Sequence, residues 1–115
     1  MLTSEELEQN LNHFYGTEAY HRLSFSPIVC TDGVAYFAEN AEAHWLITDI
    51  TAVVPTLNTY FCYIVVTSKD NKATISYEDG NENVLHTYKY DFTDLPEGEW
   101  KFYCTDNVLM LPSEY

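Results

Sequence analysis

Four histidines, three cysteines and eighteen carboxylates are the side chains in this 115-residue chain with the chemistry for catalysis or metal binding. His13, His21, His44 and His86 are scattered, without the HxxxH or HxH spacing that places two ligands on one helix face or strand face. His44 and Asp49 are five residues apart on a predicted helix, too far round it to share a face. Cys30, Cys62 and Cys104 are odd in number and widely spaced, with no CxxC and no neighbouring histidine in a nucleophile–base pattern. Each lies among apolar residues, so buried free thiols in a reducing cytoplasm are expected. No G-x-S-x-G occurs. Glu78-Asp79-Gly80-Asn81-Glu82 has the charge to attract calcium but not the alternating ligand order and closing glutamate of an EF-hand, and reads as a hairpin tip. Four unclustered glycines and a single arginine, Arg22, make no phosphate cradle; Arg22 or Lys101 alone are the candidate anion contacts. The expectation is therefore no catalytic residue, no metal and no cofactor.

Charge is the stronger signal. Eighteen acids against five lysines and arginines give a net charge of −13. Residues 1–50 carry eight acids and one base, and residues 70–115 ten acids and three bases, so the acidity is spread rather than gathered in a tail. With 46% apolar and 16% aromatic residues the chain can bury a core, which a disordered acidic segment cannot. A field of that sign opposes direct contact with nucleic acid or an anionic membrane and favours a basic partner. The start of the chain lacks a basic and apolar leader, and no apolar run is long enough to span a bilayer, so a cytoplasmic protein is expected.

The elements that must position these groups fall into two halves of one domain, residues 1–115: a helical half over about 1–55 and a sheet over about 56–115. Thr3 and Glu6 form a capping box for a helix over about residues 4–15, with Gly16 ending it. Ile28 to Cys30 is a short apolar run. Thr31 or Asp32 caps a helix over Val34–Glu39, and Ala43–Val53 forms another with Trp45, Leu46, Ile50 and Val53 on one stripe. Thr59–Thr67, Ala73–Tyr77, Val84–Phe92, Trp100–Cys104 and Val108–Leu111 read as strands joined by short turns. The fold class is α+β, with N-terminal helices packed on one face of a four- to five-stranded antiparallel β-meander. The tyrosines at 60, 63, 77, 88, 90 and 103 are assigned to core packing and sheet-face pairing.

Three segments carry a resemblance: FYGTEAYHR at Phe14–Arg22, CTDGVAYFAENAEAHWLI at Cys30–Ile47, and VLMLPSEY at Val108–Tyr115. They resemble a family of small bacterial and mobile-element proteins of unknown function. Its members read F-x-G-T-E-x-Y-x-R, Y-T-D-G-V-x-Y-x-A-E, W-L-I and a terminal L-L-P-S-E-Y. Cys30 stands where that family usually has tyrosine, and the strand region Thr56–Glu99 matches only in general character. The resemblance implies no activity, so no catalytic residue is carried over. It implies a setting of phages, prophages and plasmids, where small acidic proteins often inhibit host defence, anti-CRISPR proteins among them. The matched residues also read structurally: Gly16 ends a helix, Thr31-Asp32-Gly33 starts one, Trp45 fills the core, and LPSEY docks on the sheet.

Charge, size and that setting together lead to a non-enzymatic inhibitor, a partial nucleic-acid mimic, that binds a basic, nucleic-acid-contacting surface of a host defence complex of the Cas type. Glu78, Asp79, Glu82, Asp91 and Asp94 are the candidate contacts. Two alternatives stand beside it. One is a small-molecule-binding protein, a sponge for a defence signal, with a tyrosine- and tryptophan-lined pocket and Arg22 fixing an anion. The other is an accessory protein that forms a homodimer through an exposed strand edge or aromatic patch.

Overall fold

The protein is described here by a computed structural model over residues 3–17, 19–22 and 26–115. Helix α1 spans Ser4–Leu11, strand β1 Val29–Cys30, α2 Asp32–Asn40 and α3 His44–Val53, followed by a 3-10 turn at Val54–Thr56. Strands β2 (Phe61–Lys69), β3 (Lys72–Glu78), β4 (Val84–Tyr90), β5 (Gly98–Thr105) and β6 (Val108–Met110) come next, and a 3-10 turn at Pro112–Glu114 closes the chain.

Thr3 caps α1 as expected, the Glu6 N–H donating to Thr3 Oγ1, but the Glu6 carboxylate accepts from the Thr3 hydroxyl and not from the Thr3 backbone N–H that a capping box uses. The helix stops at Leu11, short of Gly16, because Asn10, Asn12 and His13 are poor helix formers; Asn12 caps in the right-handed region. Gly16 therefore does not end the helix. Glu18 and residues 23–25 lie outside the described residues.

The fold is α+β: among the described residues three helices lie in the N-terminal half, and the sheet has six strands in the order β1-β6-β5-β2-β3-β4. Only β2-β3-β4 is a meander. β5 crosses over to pair with β2, and the short β1 adds parallel to β6. Strand lengths and turns do not encode that crossover. It pairs the side of β2 that β3 leaves free, so the backbone groups of this nine-residue strand are satisfied along both edges. Asp70-Asn71 and Asp106-Asn107 each have two positive φ values, the hairpin geometry that Asp and Asn tolerate and that matches strand twist.

β2 alternates cleanly in burial. Cys62, Ile64, Val66 and Ser68 are buried under the helices, with Trp100, Phe102 and Cys104 of β5 and Ala73, Ile75 and Tyr77 of β3 on the same face. Phe37 of α2 sits over this layer, its ring 5.2 Å from Phe102 and 5.5 Å from Trp100. From α3, Leu46, Ile47, Ile50 and Thr51 are buried. Trp45 is not in the core: one position is 100° round the helix from Leu46, which swings its ring outward against Tyr90 of β4, 5.1 Å away. β2 is thus buried on one side only, and its other face is free of helices among the described residues.

Candidate functional site

Two places gather the residues that sequence reasoning singled out. The first is the N-terminus of α2. A helix start leaves backbone N–H groups that need acceptors, and here each of the first three finds one. The Asp32 N–H donates to Thr17 Oγ1 at 2.9 Å, the Gly33 N–H to Glu114 Oε2 at 3.2 Å, and the Val34 N–H to Thr31 Oγ1 at 3.4 Å. Glu114 Oε1 also accepts from Thr31 Oγ1 (2.6 Å) and from the Leu111 N–H (3.0 Å). His21 Nε2 lies 2.8 Å from Asp32 Oδ1. The three quoted motifs converge here: Thr17 and His21 from the first, Thr31, Asp32 and Gly33 from the second, Leu111 and Glu114 from the third. A Cβ on Gly33 would stand 2.6 Å from Leu111 Cδ1 and 2.7 Å from Glu114 Oε1, so any larger residue there would displace those two side chains from the clamp. LPSEY thus docks chiefly on a helix terminus, not on the sheet alone. Two carboxylates at the positive end of α2 also suit its dipole. Every polar group named here has a partner, and the cluster is a clamp that ties the segment around Thr17 and His21 and the C-terminal residues to α2.

The second place is the uncovered face of the sheet. Phe61 and Tyr63 of β2 and Tyr103 of β5 point to it, and Tyr115 folds against them. Ring centroids lie 5.3 Å apart for Phe61–Tyr103 and for Tyr63–Tyr103, 5.2 Å for Tyr103–Tyr115 and 5.7 Å for Phe61–Tyr115. Beside these rings the β3–β4 hairpin brings up Glu78, Asp79 and Glu82, enclosing an open hollow of about 410 Å³. Ring faces next to carboxylates form the environment that attracts ammonium and guanidinium groups. The chain's own cations also lie on this face: the strand register puts Lys69, Lys72, Lys89 and Lys101 in phase with Tyr63 and Tyr103, the first three toward the end away from the β3–β4 hairpin. Lys101 pairs with Glu99 at 3.1 Å, and its pKa is raised by that hydrogen bond and by the neighbouring Tyr63.

The five candidate carboxylates do not form one patch. Glu78 ends β3, and Asp79 and Glu82 lie in the hairpin after it, whereas Asp91 and Asp94 follow β4 at the opposite end of the strand. Seven residues of antiparallel strand separate the two groups by roughly 20 Å. Asp79 is occupied within its own loop: Oδ1 accepts from the Asn81 N–H (2.8 Å) and the Asn83 N–H (3.0 Å), and Oδ2 from Asn83 Nδ2 (3.1 Å). Those bonds, the one from the Asn83 backbone first, hold its pKa below the ordinary value. Glu82, Asp91 and Asp94 are exposed, and Glu78 is half-buried beside Ser76. Among the described residues the ion pairs are His21–Asp32 and Lys101–Glu99, so none reaches these four carboxylates.

The thiols behave as their surroundings predict. All three cysteines are free and buried, and burial raises Cys30 and Cys104 to about 12 and Cys62 to about 11. No group of three or more potential metal ligands occurs among the described residues. The Arg22 guanidinium donates to the Ser26 carbonyl. The hollow that holds Trp100 and Lys101 also holds Glu8 and Glu99, an unfavourable field for an anion. Phe61 and Tyr115 were not among the sequence candidates. The signal that could have found Phe61 is its phase: it alternates with Cys62 and Ile64, and so shares a face with Tyr63. No helix among the described residues is long and apolar enough to cross a membrane.

Fold and surface together define a small acidic α+β domain with a helix-covered sheet, one open aromatic face and an intramolecular clamp at its second helix. Residues 5–115 match the family of unknown function DUF6876, and the chain belongs to that family. No curated protein and no solved structure matches it.

Proposed function

We propose that this protein is a non-enzymatic inhibitor of phage or mobile-element origin that binds a basic, nucleic-acid-contacting surface of a host defence complex of the Cas type. The observation that carries the reading is the open sheet face, where Phe61, Tyr63, Tyr103 and Tyr115 lie beside Glu78 and Glu82 in a chain of net charge −13. Rings supply contact area and π-faces, and carboxylates supply the field, which is the complement of an arginine- and lysine-rich groove that normally holds phosphates. The carboxylates then stand in for part of a nucleic-acid backbone. Such recognition acts mainly on association rate and weakens with salt.

The test uses a purified Cas-type effector complex and its target DNA. The protein should reduce DNA binding, less so as salt rises. Reversing Glu78, Glu82, Asp91 and Asp94 to lysine should weaken that inhibition by at least about tenfold, the equivalent of about 1.4 kcal/mol. Inhibition undiminished by the four reversals contradicts the reading.

A further inference from the structure

β4 is the last strand of the sheet, and no strand or helix among the described residues covers its outer side. Alternate backbone N–H and C=O groups of an edge strand point away from the sheet and can pair with another chain. This edge is seven residues long, VLHTYKY, rich in β-branched and aromatic residues and without proline. It is also apolar for a surface: Val84 is 58% exposed, Tyr88 54% and the adjoining Phe92 76%. At its C-terminal end β4 is tied to α3 by the Tyr90 hydroxyl, which donates to Asp49 Oδ2 at 2.9 Å.

The charges around β4 select the occupant. The strand itself carries no acid and a single lysine, Lys89, but carboxylates stand at both of its ends: Glu82 before it, Asp91 and Asp94 after it. A second copy pairing antiparallel about Thr87 would set the acidic hairpin of each chain against Asp91 and Asp94 of the other, with like charges at both ends. An extended segment that is uncharged in the middle and basic at its two ends meets opposite charge at both. We propose that β4 accepts such a basic segment of a partner protein as a seventh strand. Backbone pairing along the edge supplies affinity, and the terminal acids set register and choice. This explains why carboxylates roughly 20 Å apart can serve one partner. It rests on the reading that the partner is basic, and adds where and in what conformation the partner binds.

The probe is a synthetic peptide with arginines at both ends of an alternating valine–threonine centre, titrated into the intact protein by calorimetry and by amide hydrogen exchange. Two further peptides carry N-methyl groups on alternate central amides, one for each phase, and a fourth has glutamates in place of the arginines. The expected result is binding by the parent peptide, slowed exchange at β4 amides, and at least about tenfold weaker binding for one methylated phase and for the glutamate peptide. The Glu82→Lys/Asp94→Lys variant should lose a similar factor. Equal binding by both methylated phases, or no binding by the parent peptide, overturns the seventh strand. If the parent peptide instead protects Phe61, Tyr63 and Tyr103 with β4 unchanged, the edge is wrong and the basic-partner reading stands. If the glutamate peptide binds as well as the parent, both are wrong.

Discussion

The N-terminus of α2 and the open face of the sheet are both rich in carboxylates and hydroxyls, yet their polar groups end in opposite states. At α2, Glu114 accepts three hydrogen bonds and Asp32 sits on His21, so the charge is consumed by the fold. On the sheet side, Glu82, Asp91 and Asp94 stand exposed, with no ion pair to them among the described residues. A carboxylate facing orphan backbone donors is structural, and an exposed one that no ion pair engages is available to a partner. Motif residues and binding residues therefore separate in this protein, although both are acidic.

The comparison can be broken first at the clamp. Gly33→Ala forces a methyl group against the Leu111 and Glu114 side chains and should cost about 1–3 kcal/mol in urea unfolding, because those side chains must leave their packed and hydrogen-bonded positions. Affinity for a basic partner should be unchanged wherever the variant remains folded. Glu114→Ala removes three acceptor contacts and should cost about 1–2 kcal/mol, with Glu114→Gln recovering part because its amide oxygen still accepts. If either clamp variant abolishes binding while folded, the division between the two regions is wrong.

The face should respond in the reverse sense. Tyr103→Ser removes the ring that touches Phe61, Tyr63 and Tyr115, and should cost only about 1 kcal/mol of stability on this half-buried surface while weakening partner binding about tenfold. The smallest effect is at Asp79. Its folded pKa lies below the ordinary 3.8, so its contribution to the hairpin is complete above that value and is lost as pH falls through the lower folded value. Amide exchange at Asn81 and Asn83 should accelerate over that acid range, and in Asp79→Ala it should be fast at every pH.

Much of the fold was legible because its signals are local. Thr3 with Glu6, Thr31 before Asp32, and the Asp-Asn turns each satisfy backbone groups within a few residues. The strand alternation at Cys62, Ile64 and Val66 gives the covered face directly. The crossover that places β5 beside β2 was not legible, because pairing partners are chosen by contacts distant in sequence. Trp45 was misplaced because one residue of phase on a helix turns a core ring into a surface ring. At the candidate site, the acids were visible but their grouping was not. Glu82 and Asp94 are twelve residues apart in sequence, and only the topology shows that they flank one free edge. The motif residues gave the opposite problem: Thr17, Gly33 and Glu114 look like a signature of function, and their convergence accounts for them as a clamp.

The most direct test of the account maps where a basic ligand binds. The arginine-ended peptide is titrated into isotope-labelled protein and amide shifts are followed residue by residue. The account predicts that the perturbed amides lie along the free edge and its two acidic ends, from Glu78 to Asp94. Shifts gathered instead at Thr17, His21, Thr31 to Gly33 and Leu111 to Glu114 would contradict it, and would make the clamp the binding site.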